Sequence, residues 1–141
     1  MPAAATITPR QEDRRRDAAR RRAPARPAYA ALAAGLLAAA LYVLLEHDTG
    51  WWQFFAFGAA PDLALFAGAG TGLAKGQLHP RAVPLYNALH RFAGPLALTV
   101  LTVAADLATG YVVGALAWAL HIAVDRVCGY GLRTPDGYQR A

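Results

Sequence analysis

Cysteine occurs once in the 141 residues, at Cys128, so no intramolecular disulfide can form and no cysteine-rich metal cage can be built. Charge is scarce too. Asp, Glu, Lys and Arg make up 16% of the chain against 56% hydrophobic residues, too apolar a balance for an ordinary soluble domain and one that points to a membrane. No His-Glu-x-x-His pair is present, which removes the tight two-histidine zinc signature. The length leaves room for one compact unit and no second domain. Net charge is +5, but the arginines crowd into one arm beside a hydrophobic run instead of alternating with aromatics. That pattern reads as a topology signal and not as a nucleic-acid surface.

The arm is residues 1–27, with Arg10, Arg14, Arg15, Arg16, Arg20, Arg21, Arg22 and Arg26 among Pro9, Pro24 and Pro27. Arg, Ala and Pro without an apolar stripe bury too little surface to fold alone, so the arm is expected to be disordered. Residues 28–138 are expected to form an all-α domain, a bundle of four transmembrane helices with spans at about 28–45, 51–73, 82–104 and 111–128. The first run has the basic flank of a secretory signal, yet its apolar core is longer than such signals use and further runs follow, so it reads as an uncleaved helix. Trp51 and Trp52 open the second run as an aromatic belt would, and Pro61 and Asp62 interrupt it. Gly68 and Gly72 close it at a spacing that lets helices approach, which makes a homo-oligomer through small-residue faces an expected partner alongside the lipid bilayer. Pro95 falls near the middle of the third run, and Pro135, Asp136 and Gly137 give the tail turn chemistry.

Loop charge alternates. The arm, the Lys75–Arg81 loop and the tail are basic, whereas the other two loops carry only Glu46, Asp48 and Asp106. The positive-inside bias then sets both termini of a multi-pass protein in the cytoplasm.

Polar groups sit where lipid would be. Counted along helices from the cytoplasmic ends, Asp125 lies about 5 to 8 Å in, His90 about 12 Å, His121 about 12 to 15 Å and Asp62 about 16 Å. Tyr86 and His90 are i,i+4, Asn87 and His90 i,i+3, and His121 and Asp125 i,i+4, so each helix presents its polar set on one side. Gly110, Gly114 and Trp118 continue the stripe of His121 and Asp125, marking an inward face. Ionisable groups at such depth need a partner or a task. Three readings stay open. Two imidazoles and two carboxylates suit a divalent ion, Zn, Mn or Fe, with Asp62, His90, His121 and Asp125 as ligands and water activated for hydrolysis. The same four residues would also serve a proton or ion relay. Or they are hydrogen-bonding glue between helices in a scaffold, with Arg91 and Arg126 pairing the carboxylates or reaching headgroups. In an enzyme, Tyr86 or Asn87 would orient the substrate; no catalytic residue is assigned by the sequence.

The blocks Ala-Pro-Asp-Leu at 60–63, Tyr-Asn-Ala-Leu-His-Arg at 86–91 and His-Ile-Ala-Val-Asp-Arg-Val-Cys-Gly-Tyr-Gly-Leu-Arg-Thr-Pro-Asp-Gly-Tyr at 121–138 resemble the small bacterial membrane proteins grouped as domain of unknown function 4260. That resemblance implies a four-helix protein of the bacterial inner membrane and no particular activity. The order Pro-Asp, His-Arg, then His-x-x-x-Asp before Gly is also similar to the LexA-regulated membrane-bound metal-dependent hydrolases. This second similarity implies Asp62, His90, His121 and Asp125 as metal ligands. The chain departs from it in having Leu63 and Ala64 after Asp62 and no Thr-His-Ser after His90, which removes the ligands a second ion would need.

Overall fold

In the computed structural model the described residues are 25–140. The arm expected to be disordered therefore lies, up to residue 24, outside them. Helix α1 (Ala25–His47) starts earlier than expected and takes Arg26 and Pro27 into its first turn. A proline there loses no hydrogen bond, because the first helical N–H groups have no partner anyway. Beyond it the helix is built from Ala and Leu, the strongest helix formers. Its apolar residues face all directions, and Leu32, Leu37, Leu41 and Leu45 are exposed while Ala40 and Leu44 are buried.

Helix α2 (Trp51–Ala59) runs into a 3-10 turn at Ala60–Asp62 and then into α3 (Leu63–Ala67). Pro61 has no N–H to give back to the preceding turn, which forces the tighter winding at that point. The helical stretch ends at Ala67 and not near 73 as expected. Gly68 caps α3, and Gly72, with φ of 76°, sits in the loop, so the two glycines form no helix face.

The third apolar run is also divided. A 3-10 turn at Pro80–Ala82 leads into α4 (Val83–Leu89), the helix breaks at 90–92, and α5 (Ala93–Ala104) follows. Pro95 causes the break, since its ring would collide with the carbonyl four residues earlier in a continuous helix. In α5 it occupies the first turn, where no N–H is missed. Helix α6 (Gly110–Cys128) is unbroken and ends at Gly129, whose φ of 89° is the left-handed cap conformation. Tyr130 N–H then donates to the Asp125 carbonyl at 2.8 Å, closing the helix.

The described residues form helices and turns, with a lone bridge between Arg133 and Gln139 in the tail. Among them two helical stretches, Arg26–His47 and Gly110–Cys128, are each long and apolar enough to cross a membrane unaided. The four continuous spans expected from the sequence are therefore replaced by two long helices and two broken ones.

Helix α6 is the centre, with α1, α2 and α5 packed around it. Its glycines make this possible: a Cβ on Gly110 would collide with the Gln53 side chain, and one on Gly114 would sit 2.8 Å from the Phe57 ring. Trp118 lies against Gly94 at the start of α5. Where α3, the following loop and α4 meet, Ala64, Leu78, Ala82, Val83 and Tyr86 form a small buried cluster.

Candidate metal centre

The two helix breaks and α6 converge. Asp62 ends the 3-10 turn after Pro61, His90 caps α4, and His121 and Asp125 are one turn apart on α6. The His90 side chain is fully buried, those of His121 and Asp125 are partly buried at 14% and 18% exposure, and that of Asp62 is 52% exposed. Their atoms alternate around a ring. His90 Nε2 lies 3.8 Å from Asp62 Oδ1 and 3.4 Å from Asp125 Oδ2, and His121 Nε2 lies 3.7 Å from each of the same two oxygens. The ligand atoms of Asp62, His90 and His121 all fall within 4.8 Å of one another.

One proton in this ring can be located. His90 Nδ1 is 2.8 Å from the Tyr86 carbonyl, an acceptor only, so Nδ1 holds a hydrogen, and in the neutral imidazole the lone pair is on Nε2, which faces the carboxylates. The His90 and His121 Nε2 atoms are buried and take part in no hydrogen bond. Charge-assisted hydrogen bonds between imidazolium and carboxylate would close to about 2.7–2.9 Å. The ring is wider. Bonds of 2.0–2.1 Å to a four-coordinate ion put every pair of ligand atoms about 3.4 Å apart, which matches the shortest edge and is a few tenths of an ångström inside the other three; across the ring the atoms have further to close, and Asp125 lies outside the set of three that fall within 4.8 Å of one another.

Neighbouring groups hold His90 in place. Tyr86 stacks on its ring at 3.8 Å between centroids, and the Arg133 guanidinium covers the other part of the stack, 4.9 Å from the Tyr86 ring. The break exposes the Leu89 and His90 carbonyls. Trp118 Nε1–H donates to the first at 2.7 Å and Arg126 to the second at 2.8 Å. Arg126 also donates to the Tyr130 carbonyl, so it binds backbone and not the carboxylates. Asn87 turns away from the ring: its amide accepts from Arg133 N–H at 2.7 Å and donates to the Arg133 carbonyl at 2.9 Å, pinning the tail. Tyr86 Oη lies 3.5 Å from the Gly131 carbonyl. Sequence reasoning did not find the supporting roles of Trp118, Arg126 and Arg133. Trp118 and Arg126 bind carbonyls freed by the break, and Arg133 Nη1 donates to those of Gly76 and Gly137 in the loop and tail; no residue type marks which carbonyl a break or turn will free.

Among the described residues, two clefts reach the ring. One, of about 370 Å³, lies between α2 and α6 and is lined by Phe54, Gly58, Ala117, Leu120 and Val124 in addition to Asp62, His121 and Asp125. The other, of about 290 Å³, opens by the tail, where Tyr86, Tyr130, Arg133 and Gln139 face Asp62 and Asp125.

Residues 30–141 match the family model described as Domain of unknown function (DUF4260). Neither a curated protein nor a solved structure matches the chain.

Proposed function

Because the chain belongs to the DUF4260 family, whose description assigns no activity, its function has to be argued from the ring itself, and we propose that it is a membrane-embedded metal-binding protein. Its ligands are Asp62, His90, His121 and Asp125. The chain passes the bilayer four times, α1 and α6 as whole helices and α2–α3 and α4–α5 as broken ones. The site faces the cytoplasm, the side to which the positive-inside bias assigns the basic loops. Non-helical backbone is tolerated at membrane depth where it lines a protected site, which accounts for both breaks occurring at the ring.

The observation that carries this reading is the pair of buried Nε2 atoms that accept no hydrogen bond and lie 3.4–3.8 Å from two carboxylate oxygens. Interhelical glue would have pulled these groups into hydrogen bonds, and a proton relay would need them connected. A divalent ion held by Asp62, His90 and His121, with Asp125 drawn in as the fourth ligand, would satisfy all of them, with both imidazoles neutral and both carboxylates ionised. Such an ion would polarise a carbonyl or phosphoryl oxygen or activate a water, so the chemistry it suits is hydrolysis. This chain's own part is to hold the ligands: Tyr86 fixes the His90 tautomer, and Arg126 and Trp118 fix the backbone around it.

Elemental analysis of the protein purified from membranes tests the assignment. About one Zn, Mn or Fe per chain is expected, lost in the His90→Ala and His121→Ala variants. A folded wild-type protein that takes up no divalent ion, even when offered it in excess, would overturn it.

A further inference from the structure

The two clefts differ in character, and their directions differ as well. Phe54 and Gly58 on α2, and Ala117, Leu120 and Val124 on α6, make the walls of the larger cleft apolar. It follows both helices from the ring towards Trp51 and Gly110. From Asp62 back to Phe54, and from Asp125 back to Ala117, is eight residues along each helix, a groove of about 12 Å. With α6 ending on the basic side of the protein, this groove runs from the ring towards the middle of the bilayer. Val124 and Asp62 on its rim are exposed, so its side is open to the surroundings of the helices. The smaller cleft leaves the ring the other way, under the tail, and is polar. Arg133, a residue 9% exposed, lines it; its Nη1 donates to the Gly76 and Gly137 carbonyls, while its buried Nε has no hydrogen-bond partner.

Resting on the metal reading, we propose that the site takes an anionic single-chain amphiphile from the cytoplasmic leaflet. Its chain lies in the α2–α6 groove and its oxyanion head meets the ion, with Arg133 beyond. The order of surfaces is that of a lipid in this leaflet, with apolar groove towards the midplane, polar ring at headgroup depth and a wet, cationic mouth outermost. A water-soluble anion would have no use for the groove. A neutral ion-and-two-carboxylate site accepts an anion only with further positive charge, which Arg133 supplies. A phosphate or a carboxylate head shares the required chemistry.

Cobalt(II) in the protein, reconstituted in lipid nanodiscs, gives a visible spectrum that reports its ligands. Dodecyl phosphate and dodecanoate are each titrated against inorganic phosphate, acetate and dodecanol. Either amphiphile is expected to shift the spectrum at concentrations at least about tenfold below its chainless counterpart, and dodecanol to leave the spectrum unchanged. Gly58→Leu is the test of the groove: a Cβ at Gly58 meets nothing nearer than Ala117 at 3.9 Å, so the new side chain starts from ordinary contact distance on the groove wall. It should retain the cobalt spectrum and lose the amphiphile's advantage. Cobalt bound in the wild type with no preference for the chain, or with a preference that Gly58→Leu leaves intact, overturns this inference and spares the metal reading. No cobalt bound at all overturns both.

Discussion

His90 donates its Nδ1 proton to the carbonyl of Tyr86, one turn back in its own helix and 2.8 Å away, and the Tyr86 ring stacks on the imidazole it orients. One residue thus sets both the tautomer of His90 and the plane in which its Nε2 lone pair points. The other imidazole, His121, comes from a different helix and meets the same two carboxylates.

Metal should stabilise the protein through these ligands. With free ion at a hundred times its dissociation constant, binding adds about 2.7 kcal/mol, seen as a rise in Tm of several degrees. His121→Ala should bind at least about 100-fold more weakly and lose the rise. Acidification should weaken binding to the wild type, because each imidazole must be unprotonated to ligate. A chelator competition at neutral and mildly acidic pH reads this directly; affinity that increases on acidification would contradict it.

Arg126 is a positioning residue. It donates to the carbonyls of His90 and Tyr130 and touches neither carboxylate in its hydrogen bonds. Arg126→Gln is expected to lower metal affinity about tenfold through His90 and to alter the cobalt spectrum. A purely structural role would lower Tm with and without metal and leave the affinity of the folded fraction unchanged.

Close packing on α6 predicts a contrast between two glycines. A Cβ at Gly114 would lie 2.8 Å from Phe57, whereas one at Gly35 meets nothing within 4 Å. Gly114→Ala should cost about 1–3 kcal/mol by forcing α2 and α6 apart. Gly35→Ala should be neutral or slightly stabilising from helix propensity. Thermal melts of the two variants in the same detergent distinguish them.

The four-pass arrangement can be read with the protein's own thiol. Cys128 is exposed at the end of α6 and is the chain's one cysteine. A membrane-impermeant maleimide should label it from the cytoplasmic side alone. With Cys128 replaced by Ser, a Thr49→Cys label in the α1–α2 turn should be accessible from the opposite side alone. Both thiols labelled from one face would rule out the arrangement.

Much of the helical content is legible from composition, because apolar runs bounded by Gly, Pro and charge leave little else for the backbone to do. The extent of α6 differs by one residue from the run at 111–128, and its Gly110, Gly114, Trp118 stripe, visible as helical spacing, packs against Gln53, Phe57 and Gly94. The i,i+4 relation of His121 and Asp125 is also a property of one helix and needs no tertiary knowledge.

What lay beyond the sequence was how separate helices break and turn towards one another. Pro61 and Pro95 signal disruption, but only packing decided that α3 ends at Ala67, that Gly68 and Gly72 leave the helix, and that the break at 90–92 is stabilised by Trp118 and Arg126. Asn87 shares the His90 face in sequence spacing, yet its amide is used by the backbone of Arg133, 46 residues away. Spacing along a helix fixes only relative angle on that helix. The distances from His90 to Asp62 and to Asp125 depend on rotation and tilt between elements, and those are set by glycine contacts and freed carbonyls that no local pattern encodes.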